Sequence, residues 1–535
     1  MTRFQAQPDN LFAKYRLWFE ALARIFDVEW VTEGIEDKFI VTFNPEQSCA
    51  IDSQCVWLAE HDGPQLTVAD VTFSTNPRIP KQLAGLVLPR FFSGSTLKAQ
   101  PGDELLARAG EHPVWLRRIR PDGTTVDVLA WDLPSDKTGN LFHQVFHKHS
   151  FTLIGLYILF GQWTGYPLPQ ETPASMIVDD PNLHNWTYGK IDYRQIVRDY
   201  RSNRYHFAIA TIPFDAYSLN PKVIRLFADN PDILSLLPHG NNHLKNELKV
   251  TGQQAEFIVS QSVNRMSRYE KETGYTPESL IVPPHNQISR ECAAVIARSP
   301  LVGVCTQWVE PWQTKPGQVI PDQHDDPLSG WWPVQQVSGV SVLYRFKFDE
   351  GESWPVPILA LFGFPIVFSC HPMTFLDPNF LPGFFDRWNE LLPLRWMSPQ
   401  TILESAVHYL PGDGETAHLR IYHHHTRCVL DRQVQRLIVD YPYRPAEDQF
   451  LAIDGRKADA VSGIPYGLRF TFEDVQPGSH TLDIIRRQAL APLPKPRKSF
   501  DLHAVARRLM TEFRDRMGLR HPPCPLPDLP HRIHE

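Results

Sequence analysis

The chain has 535 residues, with 53 Lys and Arg against 60 Asp and Glu, a formal charge of −7 and 48 prolines. At roughly 150 residues per domain this is enough chain for several cores, so neither a disulfide nor a metal is needed merely to fold. The negative balance argues against a nucleic-acid-binding surface. Proline at about 9%, against roughly 5% on average, excludes coiled coils, collagen and long helical solenoids.

Residues 12–30 (FAKYRLWFEALARIFDVEW) carry apolar side chains at helical spacing and predict an amphipathic helix. Strand-like runs follow: KFIVTF, CVWLAE, QLTVADVTF, LAGLVLP, HPVWLRRI and TTVDVLAWDL, with Pro121-Asp122-Gly123 marking a hairpin between the last two. The most apolar stretch, 151–163, is about 13 residues long where a membrane span needs about 20, so it reads as a buried helix and no membrane span is expected. Residues 1–168 are therefore expected to form an N-terminal α+β domain. The N-terminus has no apolar run with a cleavage site, and the seven cysteines form no C-x-x-C pair. The expectation is a cytoplasmic protein with reduced thiols.

From 169 to 412 the texture changes to strands alternating with helices. The runs ASMIVDD, YHFAIATIP, ILSLLPHG, ESLIVPPH, LVGVCTQW and PIVFSCHP are strand-like, and helices are expected near 191–202, 253–273 and 289–298. Strands without polar positions imply a parallel sheet or a β/α barrel buried on both faces. Several of them end in Asp179-Asp180, His239, His285 and His371, and such folds keep their sites at those ends. Residues 413–490 are strand-rich and predict a small β-sandwich, in which the triple His423-His424-His425 is read as mid-strand with its rings scattered over both faces. Residues 491–535 read as a Pro-rich flexible end with one short amphipathic helix near 501–517. His521, Cys524, His531 and His534 of that end are not taken as a zinc site.

There is no P-loop, G-x-G-x-x-G, G-x-S-x-G or H-E-x-x-H. The positive signals lie at strand ends. His239 and His243, at i and i+4, stand where an apolar run stops at Pro238, and Gly240 permits a sharp turn between them. A rival pair, His143 and His147, reads as a helix face. In SMIVDD an apolar strand ends in two adjacent carboxylates, which a cation would neutralise. Asp-Asp-Pro-Asn is equally good turn chemistry.

These residues in this order, with VDDPNLHNWTYGKIDY, LSLLPHGNNH, VPPHNQIS and LRWMS, resemble the polysaccharide deacetylases of the NodB-homology type, and more closely an uncharacterised bacterial branch of that superfamily. The resemblance covers about 170–405. It implies a distorted (β/α)7 barrel and metal-dependent hydrolysis of an N- or O-acyl group, with metal-bound water as nucleophile. It places Asp180, His239 and His243 on a divalent ion, most often zinc, with cobalt or nickel as alternatives. It makes Asp179 the general base and His371 the general acid, and it assigns the backbone N–H near His285 to the oxyanion. A divalent ion lowers the pKa of its water towards ~7, and a histidine, with a reference pKa of ~6.5, can donate at neutral pH. The substrate implied is an acylated carbohydrate or a small acylated molecule.

The chain departs from the family pattern in three places. Its third motif reads Ile281-Val282-Pro283-Pro284 without the usual Arg, His285 replaces an aromatic Tyr, and no Asp…Asp-Trp motif is visible. Arg345, which ends another apolar run, is the candidate replacement for the Arg and is grouped with the substrate-binding residues Trp186, Tyr188 and Trp308. These aromatics, with Trp312, can stack on sugar rings or serve as core. His184 is an extra polar group without an assigned role. The competing reading is a non-catalytic carbohydrate- or partner-binding protein with a structural metal. A glycosidase is disfavoured, because neighbouring Asp179 and Asp180 cannot flank a groove.

Overall fold

The computed structural model describes residues 2–7, 13–31, 39–43, 54–59, 62–133, 145, 150–188, 191–200, 204–307, 329–347, 355–376, 380–443, 449–465, 467–486, 493–496, 502–517 and 531–532. In the first 133 residues the helix Arg16–Phe26 turns through left-handed Asp27 into the strand Val28–Val31. A ten-stranded mixed sheet takes nine strands from these residues and its tenth, His531–Arg532, from the other end of the chain; its hairpin 112–130 turns at Pro121-Asp122-Gly123, where Gly123 has φ 86°. The apolar run forms the 14-residue helix Phe151–Thr164, buried from Phe151 to Gly161. Among the described residues no helix is long and apolar enough to cross a membrane.

Every strand expected between 172 and 370 is present. The strands Thr172–Asp179, Phe207–Thr211, Leu234–Pro238 and Ile366–Cys370 pair in parallel in one sheet. Leu280–Ile281, Gly303–Thr306 and Val340–Tyr344 pair in parallel in another. Apart from half-buried Pro173 their side chains are buried throughout, as parallel strands covered on both faces require. Parallel pairing puts Asp179, His239, Val282, Thr306, Arg345 and His371 at equivalent, C-terminal strand ends.

The described residues show no closed barrel of the distorted (β/α)7 kind that the resemblance implies. On one side the two sheets meet at a parallel bridge between His239 and Val282. Leu280–Ile281 is only two residues long, because Pro283 and Pro284 follow and have no N–H to donate to a ladder. At Arg345 the chain changes partners: Val340–Tyr344 pairs with Gly303–Thr306, while Phe346–Lys347 pairs with Ile366–Cys370. The described residues therefore form an α/β region of two open sheets.

Beyond 407, a five-stranded and a four-stranded sheet share one apolar core that includes Leu419, Leu437, Phe470, Phe472, Leu451 and Leu482. The His triple is not mid-strand. It spans the break between the strands Thr416–Ile421 and His425–Leu430, where buried His423 meets Ser341 Oγ at 2.7 Å through Nδ1 and His425 meets Asp483 at 2.6 Å. Two described pieces of the C-terminal end are docked: His531–Arg532 pairs with Leu86–Val87 as the edge strand of the ten-stranded sheet, and the helix Leu502–Met517 reaches Asp215 and His243.

Candidate metal centre

Asp180 follows the strand Thr172–Asp179 in a left-handed conformation (φ 75°), which swings its carboxylate away from that of Asp179. His239 follows Leu234–Pro238, and His243 lies one turn on, also left-handed (φ 57°). The three side chains converge, with one ligand atom from each lying within 4.8 Å of the others. Nε2 of His243 is 2.8 Å and Nε2 of His239 is 3.5 Å from the same oxygen, Asp180 Oδ1. Tetrahedral ligands at about 2.0–2.1 Å from an ion would stand roughly 3.3 Å apart, so the spacing fits. Asp180 Oδ1 is itself shut off from solvent and has no well-oriented hydrogen-bond donor. An orphaned buried carboxylate oxygen facing two imidazole nitrogens is what a cation would satisfy.

The loop carrying the histidines is held from below and from the side. The Glu247 carboxylate accepts the backbone N–H of Asn241 (2.8 Å), Asn242 (2.9 Å) and His243 (3.0 Å). The long helix Gly252–Thr273 contributes Gln261 to Asn241 (2.7 Å), Ser262 to the Gly240 carbonyl (2.7 Å), and Arg265 to the side chains of Asn241 and Asn242. Gly240 has φ 59°, and a Cβ there would collide with Glu247 Oε1 and lie 2.5 Å from Pro284 Cγ. His239 Nδ1 faces the Val282 carbonyl at 3.0 Å, so that nitrogen carries the proton and Nε2 points its lone pair into the cluster.

Asp179 sits in a second, ionic arrangement. Arg345 grips it from both sides, NH1 to Oδ1 at 2.6 Å and NH2 to Oδ2 at 2.8 Å, and donates further to Asn286 Oδ1 at 3.1 and 2.7 Å. The Arg345 guanidinium, expected beside the substrate, is thus engaged with Asp179 and Asn286. Arg345 is only 2% exposed and follows the strand Val340–Tyr344. Burial pushes the Asp179 carboxyl up, but the Arg345 charge, then those of His239 and His371, outweigh it and hold the group below the usual carboxylate range. Burial acts the same way on Asp180, yet His243 and His239 hold it well below that range. His239 shifts upward, because Asp179 and Asp180 overcome its burial.

His285 is at the same rim, its ring centroid 5.3 Å from that of His243 and its backbone left-handed (φ 56°). Burial, followed by the charges of His243 and Arg507, lowers its pKa below the usual imidazole value. His371 follows the strand Ile366–Cys370 and is half-buried, close enough for its charge to bear on Asp179. Trp186 packs on the core with Arg194 stacked 3.4 Å over its ring, so one of its faces is already taken. The Tyr188 side chain, Trp308, Trp312, His143 and His147 lie outside the described residues. His184 has a partner on the C-terminal helix, Glu512 at 3.5 Å. A cavity of about 610 Å³ lined by Glu171, Tyr200, Arg204 and Trp396 opens at the other end of these strands, away from the cluster.

Comparison with solved structures finds partial similarity to carbohydrate-active hydrolases. A Mycobacterium smegmatis protein assigned to the polysaccharide deacetylases covers 43% of this chain and 89% of its own, at 11% identity and TM-score 0.30. A CE4 esterase of Streptococcus mutans covers 44% and 94%, at 12% identity and TM-score 0.26. A peptidoglycan N-acetylglucosamine deacetylase covers 44% and 88%, at 14% identity and TM-score 0.22. No protein-family profile matches the chain, and no curated protein sequence matches it. Likeness this partial decides neither family nor activity, so the side chains must carry both.

Proposed function

We propose that the chain is a divalent-metal-dependent hydrolase that removes an N- or O-acyl group, acetyl above all, from a carbohydrate-like substrate, and that its parallel strands are a distorted relative of the (β/α)7 deacetylase barrel. The observation that carries the reading is the convergence of Asp180, His239 and His243 on one orphaned oxygen, with Asp179 alongside at the same strand end. One carboxylate and two imidazoles suit zinc, with cobalt or nickel as substitutes, and leave a coordination position open. An ion held there would acidify a water and polarise the acyl oxygen.

The remaining work belongs to the chain. Asp179 takes the proton from the attacking water. Arg345 holds its two oxygens in a fixed plane, each retaining a second lone pair, and keeps the carboxylate ionised. His371 gives a proton to the departing amine or alcohol, and the backbone at His285 supports the acyl oxygen. Glu247 and the helix behind it keep the His239–His243 loop in register. A cytosolic setting and the division into units 1–168, 169–412, 413–490 and 491–535 are part of the same proposal. Cys55, Cys292, Cys305, Cys370 and Cys428 are buried free thiols, which fits a reducing compartment.

A non-catalytic binding protein is the second reading, favoured by the engagement of both Asp179 oxygens with Arg345. Asp179→Asn separates the two. The hydrolase loses acetate release from acylated sugars while keeping its metal. A wild type that releases no acetate from any acylated sugar or ester, with metal bound, supports the binding protein instead.

A further inference from the structure

The strand-end loops carry one more set of contacts that catalysis does not use. The helix Leu502–Met517 turns inward a stripe that is polar beyond Ala504: Ala504 and Arg508 are buried, and Arg507, Thr511 and Glu512 are partly buried, at spacings of three and four. Arg508 makes a two-pronged pair with Asp215, in the turn after Phe207–Thr211 (Nε to Oδ1 3.0 Å, NH2 to Oδ2). Glu512 accepts from Asn182 Nδ2 at 2.9 Å, after Thr172–Asp179. Arg507 NH2 lies 2.7 Å from His243 Nδ1, after Leu234–Pro238. One helix thus grips the loops of three neighbouring strands around the metal cluster.

The Arg507 contact has a definite polarity. A guanidinium only donates, so His243 Nδ1 must accept, and a neutral imidazole then carries its one proton on Nε2. Nε2, 2.8 Å from Asp180 Oδ1, then has no lone pair to offer an ion. Ligation through Nε2 needs the reverse arrangement, with the lone pair on Nε2 and the proton on Nδ1. The Nδ1–H would then oppose the Arg507 N–H, donor against donor. Arg507 also adds a positive charge beside the place a cation would take, and that charge is felt at His285 on the same rim. The helix leaves Leu509, Met510 and Phe513 at 63%, 73% and 63% exposure, so polar contacts rather than apolar burial hold its inner face.

We propose that the C-terminal helix is a built-in latch on the metal centre, in which Arg507 and a divalent cation compete for His243, so that loading the ion requires the guanidinium to leave Nδ1. The inference rests on the metal-site reading above. The test uses the full-length chain stripped of metal and titrated with Co²⁺, followed by calorimetry and by visible absorption. Wild type, Arg507→Met, Arg507→Lys and the His239→Ala/His243→Ala double variant are compared, with melting temperatures confirming that each is folded. The latch predicts that Arg507→Met binds Co²⁺ at least about tenfold more tightly than wild type, the equivalent of one charge-assisted hydrogen bond. Arg507→Lys, which keeps the charge and a donor, stays within about threefold of wild type. Equal or weaker Co²⁺ binding by folded Arg507→Met overturns the latch and leaves the metal site standing. Absence of Co²⁺ binding in every chain, or binding that survives in the double variant, overturns the metal reading and the latch with it.

Discussion

Arg345→Met removes the guanidinium that holds Asp179 and leaves a carboxylate buried at 6% exposure without its counter-ion. Arg345 itself is 2% exposed and makes four charged hydrogen bonds, two to Asp179 and two to Asn286. Breaking a buried pair from one side costs about 3–5 kcal/mol, because the survivor keeps the full desolvation penalty. For a unit of some 150–250 residues each kcal/mol moves a melting transition by about 2–4 °C, so Arg345→Met should lower the transition by about 10 °C. Asp179→Asn, which strands the arginine instead, should cost a comparable amount. The double variant Asp179→Asn/Arg345→Met buries no orphan charge and should melt no lower than Arg345→Met alone. Differential scanning calorimetry of the four proteins reads this cycle directly. Strictly additive losses would refute the reasoning, since they would mean that the two side chains do not depend on each other.

Three further outcomes are expected. Gly240→Ala should destabilise the protein and abolish metal uptake, since φ 59° and the contact with Pro284 leave no room for a Cβ; calorimetry and metal analysis check it. Glu247→Gln cannot accept three N–H bonds through a charged carboxylate and should weaken metal affinity roughly tenfold to a hundredfold, as loss of a supporting shell does, measured by competition with a chelating dye. Glu278, whose Oε1 is shut off from solvent, is raised by burial to about 7. A raised folded pKa favours the fold below the unfolded pKa of about 4.3 and loses that contribution as pH climbs through the folded value. Glu278→Gln should therefore gain up to about 3 kcal/mol relative to wild type at pH 8 and almost nothing at pH 4; melting curves at the two pH values decide it.

The elements and the residues of the candidate metal cluster were legible because each is a local signal. Buried parallel strands read as unbroken apolar runs, and a polar residue at the end of such a run stands out, as Asp180, His239 and His371 do. Arg345 was visible as a run-ending charge, but its partner lies 166 positions away, so its role as the brace of Asp179 had no local mark. Glu247 was missed for the opposite reason. Four residues beyond His243 it looks like any loop carboxylate, and only the folded turn aims three backbone N–H groups at it. The tail helix is legible as amphipathic, but nothing local marks that Arg507 and Arg508 face the strand-end loops while Leu509, Met510 and Phe513 face out. The open sheets follow from two prolines and one bend at Arg345, which strand-by-strand reading does not weigh.

The most direct measurement is the metal content of the purified full-length protein beside His239→Ala/His243→Ala, by elemental analysis after exposure to zinc and removal of loose ions. The account predicts about one divalent ion per wild-type chain and essentially none in the double variant. A wild type that takes up no ion, or a double variant that keeps it, would contradict the claim that Asp180, His239 and His243 form a metal centre.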